Sequence, residues 1–192
     1  AHAEPPKVAP GAGRTASLAV SQIVEHPALD AVRRGLEDEL AKAGWVAGQN
    51  LKYEYQTAQG NQVIAGQIAS KFVGDRPDAI VAIGTPAAQA VAAATRDIPV
   101  IFSAVTDPVA ARLVSDMKKP GGNVTGTSDL SPVKLHMDLI AHAMPQIGRL
   151  GVIFNPGEVN SLSLVALVRD EAEARGWKLV EAAAPKTSDV LA

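Results

Sequence analysis

The sequence predicts an α/β chain: a doubly wound parallel sheet forming one complete lobe, then the opening β-α-β unit of a second lobe. Three observations carry that prediction. Short apolar runs rich in Val and Ile alternate with stretches of helical periodicity, the pattern of a parallel sheet covered on both faces. The stretch Asp78–Ala94, DAIVAIGTPAAQAVAAA, reads as one buried strand, one tight turn and one helix. A segment starting at Leu18 recurs, without a gap, starting at Leu150.

The central stretch can be justified residue by residue. Ala79–Ile83 is short, apolar and β-branched, as a strand buried on both faces requires. Gly84 lets the backbone turn without a Cβ clash. Thr85 is suited to cap a helix, Pro86 to fill its first position, and Ala87–Ala94 to propagate it. A helix N-terminus at the carboxyl end of a parallel strand is where open α/β sheets bind ligands. Its free N–H groups suit a carboxylate or phosphate. The same turn also serves, without any ligand, as the plain crossover of an α/β unit.

Taken in order, residues 1–15 carry Pro and Gly and no apolar periodicity. They read as a disordered lead-in, resembling the mature start of an exported protein after signal-peptide removal, or a cloning remnant. Ser17–Val24 is the first strand. Pro27–Ala43 is a helix that begins at His26-Pro27, stops at Gly44, and carries Leu29, Val32, Leu36 and Leu40 on one stripe. Leu51–Tyr55 alternates strictly and reads as an edge strand. Asn61–Phe72 is a helix with Val63, Ile64, Ile68 and Phe72 inward. Ile98–Phe102 is a strand, Val109–Val114 a short helix, and Val124–Thr127 a strand. Pro132–Ala143 is a helix capped by Ser131, Arg149–Phe154 a strand, Asn160–Arg175 a helix, Trp177–Ala182 a strand, and Thr187–Ala192 the start of a helical segment.

The repeat sets the organisation. LAVSQIVEHPALDAVRRGLEDELAKAGW aligns with LGVIFNPGEVNSLSLVALVRDEAEARGW, matching Asp38-Glu39 to Asp170-Glu171 and Gly44-Trp45 to Gly176-Trp177. It implies a first lobe over residues 16–128, a crossover helix and hinge over 129–148, and an incomplete second lobe over 149–192. The chain is accordingly expected to be a fragment of a longer protein.

Composition excludes several functions. A net charge of -2 with no basic stripe argues against nucleic-acid binding. The absence of cysteine excludes disulfides, thiolate chemistry and Cys-based zinc sites. No apolar run approaches the roughly 18 residues of a membrane span. His136 and His142 lie six apart rather than at zinc-pair spacing. Gly84-Thr85-Pro86 lacks the ending of a phosphate-binding loop, and neither a dinucleotide fingerprint nor a nucleophile elbow is present. Lys118-Lys119 is expected at a helix end.

Two similar lobes in tandem direct their strand carboxyl ends at one cleft. The first contributes Gln22, Ile23 and the loop to Pro27; Thr85, Pro86 and Ala87 after Gly84; Thr106 and Asp107; and Ser128 and Asp129. The second contributes Asn155–Ser161, in which Asn160 or Ser161 caps the following helix. Helix N-termini at Thr85 and Ser161, with the hydroxyls of Ser128 and Thr106, can hold a carboxylate. Asp107, Asp129 and Glu158 can hold a cation. Together they suit a zwitterion such as an amino acid, although each residue also serves as a cap or turn former.

The motifs SQIVEHPALDAVRRGLEDEL, AIVAIGTPAAQ, PVIFSAVTDPVAA, GGNVTGTSDL and GVIFNPGEVNS, in this order, resemble the substrate-binding proteins of ABC importers. The resemblance is closest to the tryptophan/aromatic-amino-acid-binding subfamily with the type I periplasmic-binding-protein fold, and runs from about Ala16 to Ala192. It implies no catalysis and no cofactor. It implies an exported, periplasmic or extracytoplasmic protein that captures a hydrophobic or aromatic amino acid between hinged lobes and delivers it to a membrane permease. An enzyme or an effector-sensing domain on the same scaffold is the alternative reading.

Overall fold

The computed structural model describes Gly13 and residues 15–191. The lead-in expected over residues 1–15 lies almost wholly outside them.

Five strands form one parallel sheet: β1 (Ala16–Gln22), β2 (Leu51–Thr57), β3 (Ala79–Ile83), β4 (Val100–Val105) and β5 (Val124–Ser128), in the order β2-β1-β3-β4-β5. From β1 the chain moves outward to β2, then returns past β1 to β3, so the winding direction reverses between β1 and β3. Opposite directions with right-handed crossovers place helices on opposite faces. The packing shows this. Leu29, Val32 and Leu36 of α1 (Pro27–Lys42) cover Val20, Val81 and Ile83 on one face. On the other, α2 (Gln62–Asp75) and α3 (Thr85–Ala94) pack side by side over Ala19, Ile80, Ala82 and Phe102. Small side chains dominate this layer: Ala65 and Ala69 of α2 and Ala87, Ala88 and Ala92 of α3 are all buried in its core. The β2 strand is an edge, as its alternation predicts.

The second sheet pairs β6 (Arg149–Phe154) and β7 (Lys178–Ala183) in parallel. It carries α4 (Val133–Ala143) and α5 (Val159–Ala174) around Val133, Met137, Ala172 and Trp177. Arg175 ties these helices together through ion pairs with Asp138 and Glu171. A 3-10 turn over Thr187–Leu191 follows. The repeat is structural. Pro27 and its aligned residue Val159 open α1 and α5, and the aligned Lys42 and Ala174 close them. Each helix ends on a left-handed glycine, Gly44 at φ 86° and Gly176 at φ 70°. The next amide, of Trp45 or Trp177, bonds back to the equivalent carbonyl, Leu40 or Ala172.

Several expectations are corrected. Val63 points outward and is 70% exposed, because the buried stripe of α2 runs through Ala65, Ile68, Ala69 and Phe72 and helical period puts Val63 on the opposite face. Residues 109–114 form turns, not a helix. The carbonyls accepting from Ala111, Arg112 and Leu113 lie four, three and five residues back, and Arg112 sits at φ 57°. Without a repeating four-residue bond, no helix propagates. Lys118-Lys119 therefore follows no helix. The β4 strand starts at Val100 and runs on to Val105, through a bulge where Ala104 takes φ 52°.

Candidate functional site

The winding reverses between β1 and β3, and the carboxyl end of such a reversal is the usual ligand position in doubly wound sheets. This end of the sheet is tightly built. The ladder extends past the strands, from Ile23 N–H to Ile83 O at 3.1 Å and from Gly84 N–H to Ser103 O at 3.0 Å. Gly84 is the N-cap of α3, with φ 92° and ψ 146°. A Cβ at this position would stand 2.5 Å from Cγ2 of Ile23. Thr85 is therefore not the cap, as its hydroxyl suggested, but the first helical residue, and it is 3% exposed. Pro86 has no N–H, so Thr85 and Ala87 carry the free donors of this helix start, ahead of the first intrahelical bond from Ala88 to Gly84 O.

Gln22 is fully buried at the end of β1. Its Nε2 donates to Val24 O and to Oδ1 of Asp30, both at 2.8 Å, which clips the β1–α1 loop to the first turn of α1. Its Oε1 is buried without a partner. His26 caps α1, its Nδ1 accepting from Ala28 N–H.

The neighbouring loops stand at the same sheet edge. Asp107 accepts from Val109 and Ala110 N–H through Oδ1, a turn-forming role. Ser128 donates its hydroxyl to Thr106 O at 2.8 Å and accepts from Leu130 N–H, pinning the crossover to the β4 loop. Asp129 N–H bonds to Val105 O, and its side chain is exposed. Pro132, not Ser131, is the N-cap of α4, with no side-chain cap bond.

The second sheet contributes the loop from Asn155. Glu158 is the N-cap of α5, so Asn160 and Ser161 lie inside the helix and neither caps it. The Glu158 carboxylate accepts from Nδ2 of Asn155 at 3.0 Å and of Asn160 at 3.3 Å, and Oδ1 of Asn160 is buried without a partner. The loop reaches the first sheet's helices: Nε2 of Gln62 donates to Gly157 O at 3.3 Å, and Val159 packs against the first core. Sequence reasoning named the loop Asn155–Ser161 but missed Gln62 and the contact of Val159 with the first core. Gln62 and Gly157 are 95 residues apart, and no local pattern marks such a contact.

Loop residues 22–26, 84–87, 104–107, 128–129 and 155–161 contain no Lys or Arg but include Glu25, Asp107, Asp129 and Glu158. An anionic group here is met by neutral N–H and hydroxyl donors, and a cationic group by carboxylates. Among the described residues no cluster of three His, Asp or Glu could hold a metal ion, and no helix is long and apolar enough to cross a membrane.

Residues 17–192 match the family of ABC transporter substrate binding proteins. The chain belongs to that family. Its members are transport proteins of the extracytoplasmic side, not an enzyme family. A tyrosine-binding protein of Clostridioides difficile is 43% identical over 91% of this chain. This chain spans 50% of that relative's length. An ABC domain from Streptococcus pneumoniae, solved in complex with L-Trp, is 38% identical, with a TM-score of 0.88 over 92% of this chain and 59% of its own. The ligand-free, open structure of a substrate-binding protein with adhesive properties from Clostridium difficile is 42% identical. It superposes with a TM-score of 0.70 over 92% of this chain and 60% of its own. The fold of these relatives, the type I periplasmic-binding-protein fold, is the one expected from the sequence.

Proposed function

We propose that this substrate-binding chain captures a small zwitterion, an aromatic amino acid, between two hinged lobes and presents it to the membrane permease of an importer. One observation carries the reading: the start of α3, with free donors at Thr85 and Ala87, stands at the β1/β3 reversal of a parallel sheet. The names of the relatives, one tyrosine-binding and one solved with L-Trp, support the ligand class. In this reading residues 16–128 are the first lobe, 129–148 the crossover and hinge, and 149–192 the second lobe's opening unit, all of it exported.

The ligand carboxylate lies on the Thr85 and Ala87 N–H groups, with Ser161 adding a hydroxyl from the second lobe. The start of α5 is the poorer anion site, because the Glu158 carboxylate already stands there. Asp129, exposed beside the crossover and spared the turn-forming bonds that occupy Asp107, receives the ammonium. Gln22 and Ile23 shape the floor, and Pro86 and Thr106 line the rim. A ligand that touches both lobes prefers the closed state and shifts the population toward it by that preference.

Calorimetry on the longer protein carrying this chain, with L-tryptophan and L-tyrosine, tests the assignment. Losing a charge partner costs about 2–5 kcal/mol, against about 1 for a hydroxyl. Asp129→Asn should weaken binding far more than Thr106→Ala. The reverse order, or unchanged affinity in Asp129→Asn, would leave Asp129 as a helix-approach residue.

A further inference from the structure

We propose that Gln62 and Val159 form a weak latch between the lobes, separate from the crossover, that sets how fast a captured ligand leaves. The inference rests on the two-lobed binding reading above. Val159 is the first residue of α5, a helix of the second sheet, yet its side chain packs against the first core, whose members include Ile23, Ala58, Ala65 and Ala87. Gln62 is the first residue of α2 and donates Nε2 to the Gly157 carbonyl. The loop that presents both groups is braced from within. Gly157 N–H bonds to Oδ1 of Asn155 at 2.9 Å, and the Glu158 carboxylate is held by Asn155 and Asn160.

The crossover is anchored differently, by Ser128 on the Thr106 carbonyl. Turning the second unit about the segment from Ser128 to Val133 leaves that anchor in place and separates Val159 and Gly157 from the first lobe. The latch contacts therefore exist in one lobe arrangement and not in the other, and only such contacts bias the equilibrium between them. The chain also superposes more closely on the L-Trp-bound relative than on the ligand-free, open one. One half-buried valine and one exposed neutral hydrogen bond make a contact weak enough for ligand to remain the deciding partner in closure.

The test uses the longer protein with L-tryptophan and L-tyrosine as probes. Dissociation is followed by stopped flow in Val159→Ala, Val159→Thr and Gln62→Ala. Val159→Thr keeps the side-chain shape and guards against a loss of fold in the alanine variant. In parallel, spin labels on Ser70→Cys and Glu173→Cys, both exposed positions of a chain without native cysteine, report the ligand-free lobe separation. Val159→Ala should speed dissociation roughly five-fold and Gln62→Ala about two-fold, with association nearly unchanged. Both variants should move the ligand-free distances outward. Dissociation rates equal to the parent's in all variants would overturn the latch. So would faster dissociation with unchanged ligand-free distances, which would place Val159 on the ligand instead. If neither probe binds the unsubstituted protein, the binding reading fails, and the ligand-free distances alone decide the latch.

Discussion

Replacing Gly84 by alanine is the sharpest test of how the site is built. At φ 92° and ψ 146° the residue occupies backbone space that L side chains rarely enter. Forcing alanine there costs about 1–3 kcal/mol. The new Cβ would meet Cγ2 of Ile23 at 2.5 Å, and Ile23 is itself pinned by its N–H bond to Ile83 O. Relieving that overlap costs roughly another 1–3 kcal/mol. The combined loss, about 2–6 kcal/mol, is a large part of a domain's usual 5–15 kcal/mol. In urea, at a mid-range slope of about 2 kcal/mol per molar, the midpoint should fall by roughly 1–3 M. Gly66→Ala is the control: it lies inside α2 with nothing within 4 Å of its new Cβ. It should stabilise by about 0.5–1 kcal/mol. Circular dichroism across a urea series reads both variants. A Gly84→Ala loss below about 1 kcal/mol, or a Gly66→Ala loss of equal size, would refute the argument.

Two other perturbations probe the scaffold. Phe102→Ala removes a fully buried side chain from β4 and should cost about 3–5 kcal/mol in the same urea assay. The Lys134 ammonium, and next the Arg175 guanidinium, hold the Asp138 carboxyl below the ordinary carboxylate range. A depressed carboxylate stabilises above its unfolded pKa of about 4 and loses that contribution as pH falls through the folded value. Urea midpoints at neutral and acidic pH should therefore diverge less in Asp138→Asn than in the parent. Added salt should shrink the difference further, because Lys134 and Asp138 are exposed.

The elements that were legible share a property: their signals are local and redundant. The Ala79–Ala94 unit carries an apolar run, a glycine and a helix former in immediate succession, and the aligned ends of α1 and α5 carry the same Gly-Trp twice. Caps were misplaced by one to three residues, from Gly84 to Thr85, from Pro132 to Ser131 and from Glu158 to Asn160 or Ser161. Side-chain type nominates several neighbours as caps, and the backbone angle selects among them. Val63 failed because it lies two residues from Ala65, and so across the helix from the buried stripe that Ala65, Ile68, Ala69 and Phe72 define. Within the site, the loops could be named from strand ends. The buried Gln22 amide and the Gln62–Gly157 contact could not, since both depend on distant chain segments meeting in space.

The alanine-rich layer of α2 and α3 bears on mechanics. Alanine has no rotamers to exchange, so a layer of two contacting helices whose buried residues include Ala65, Ala69, Ala87 and Ala88 has few soft internal modes. A load applied at Thr85 is then carried into the sheet without deforming that layer. In the two-lobed reading proposed above, such a lobe would act as a stiff lever arm and leave the compliance to the crossover joint. Enlarging one of these alanines would do more than strain a core: it would make the arm springy and absorb travel that otherwise appears as rotation at the joint.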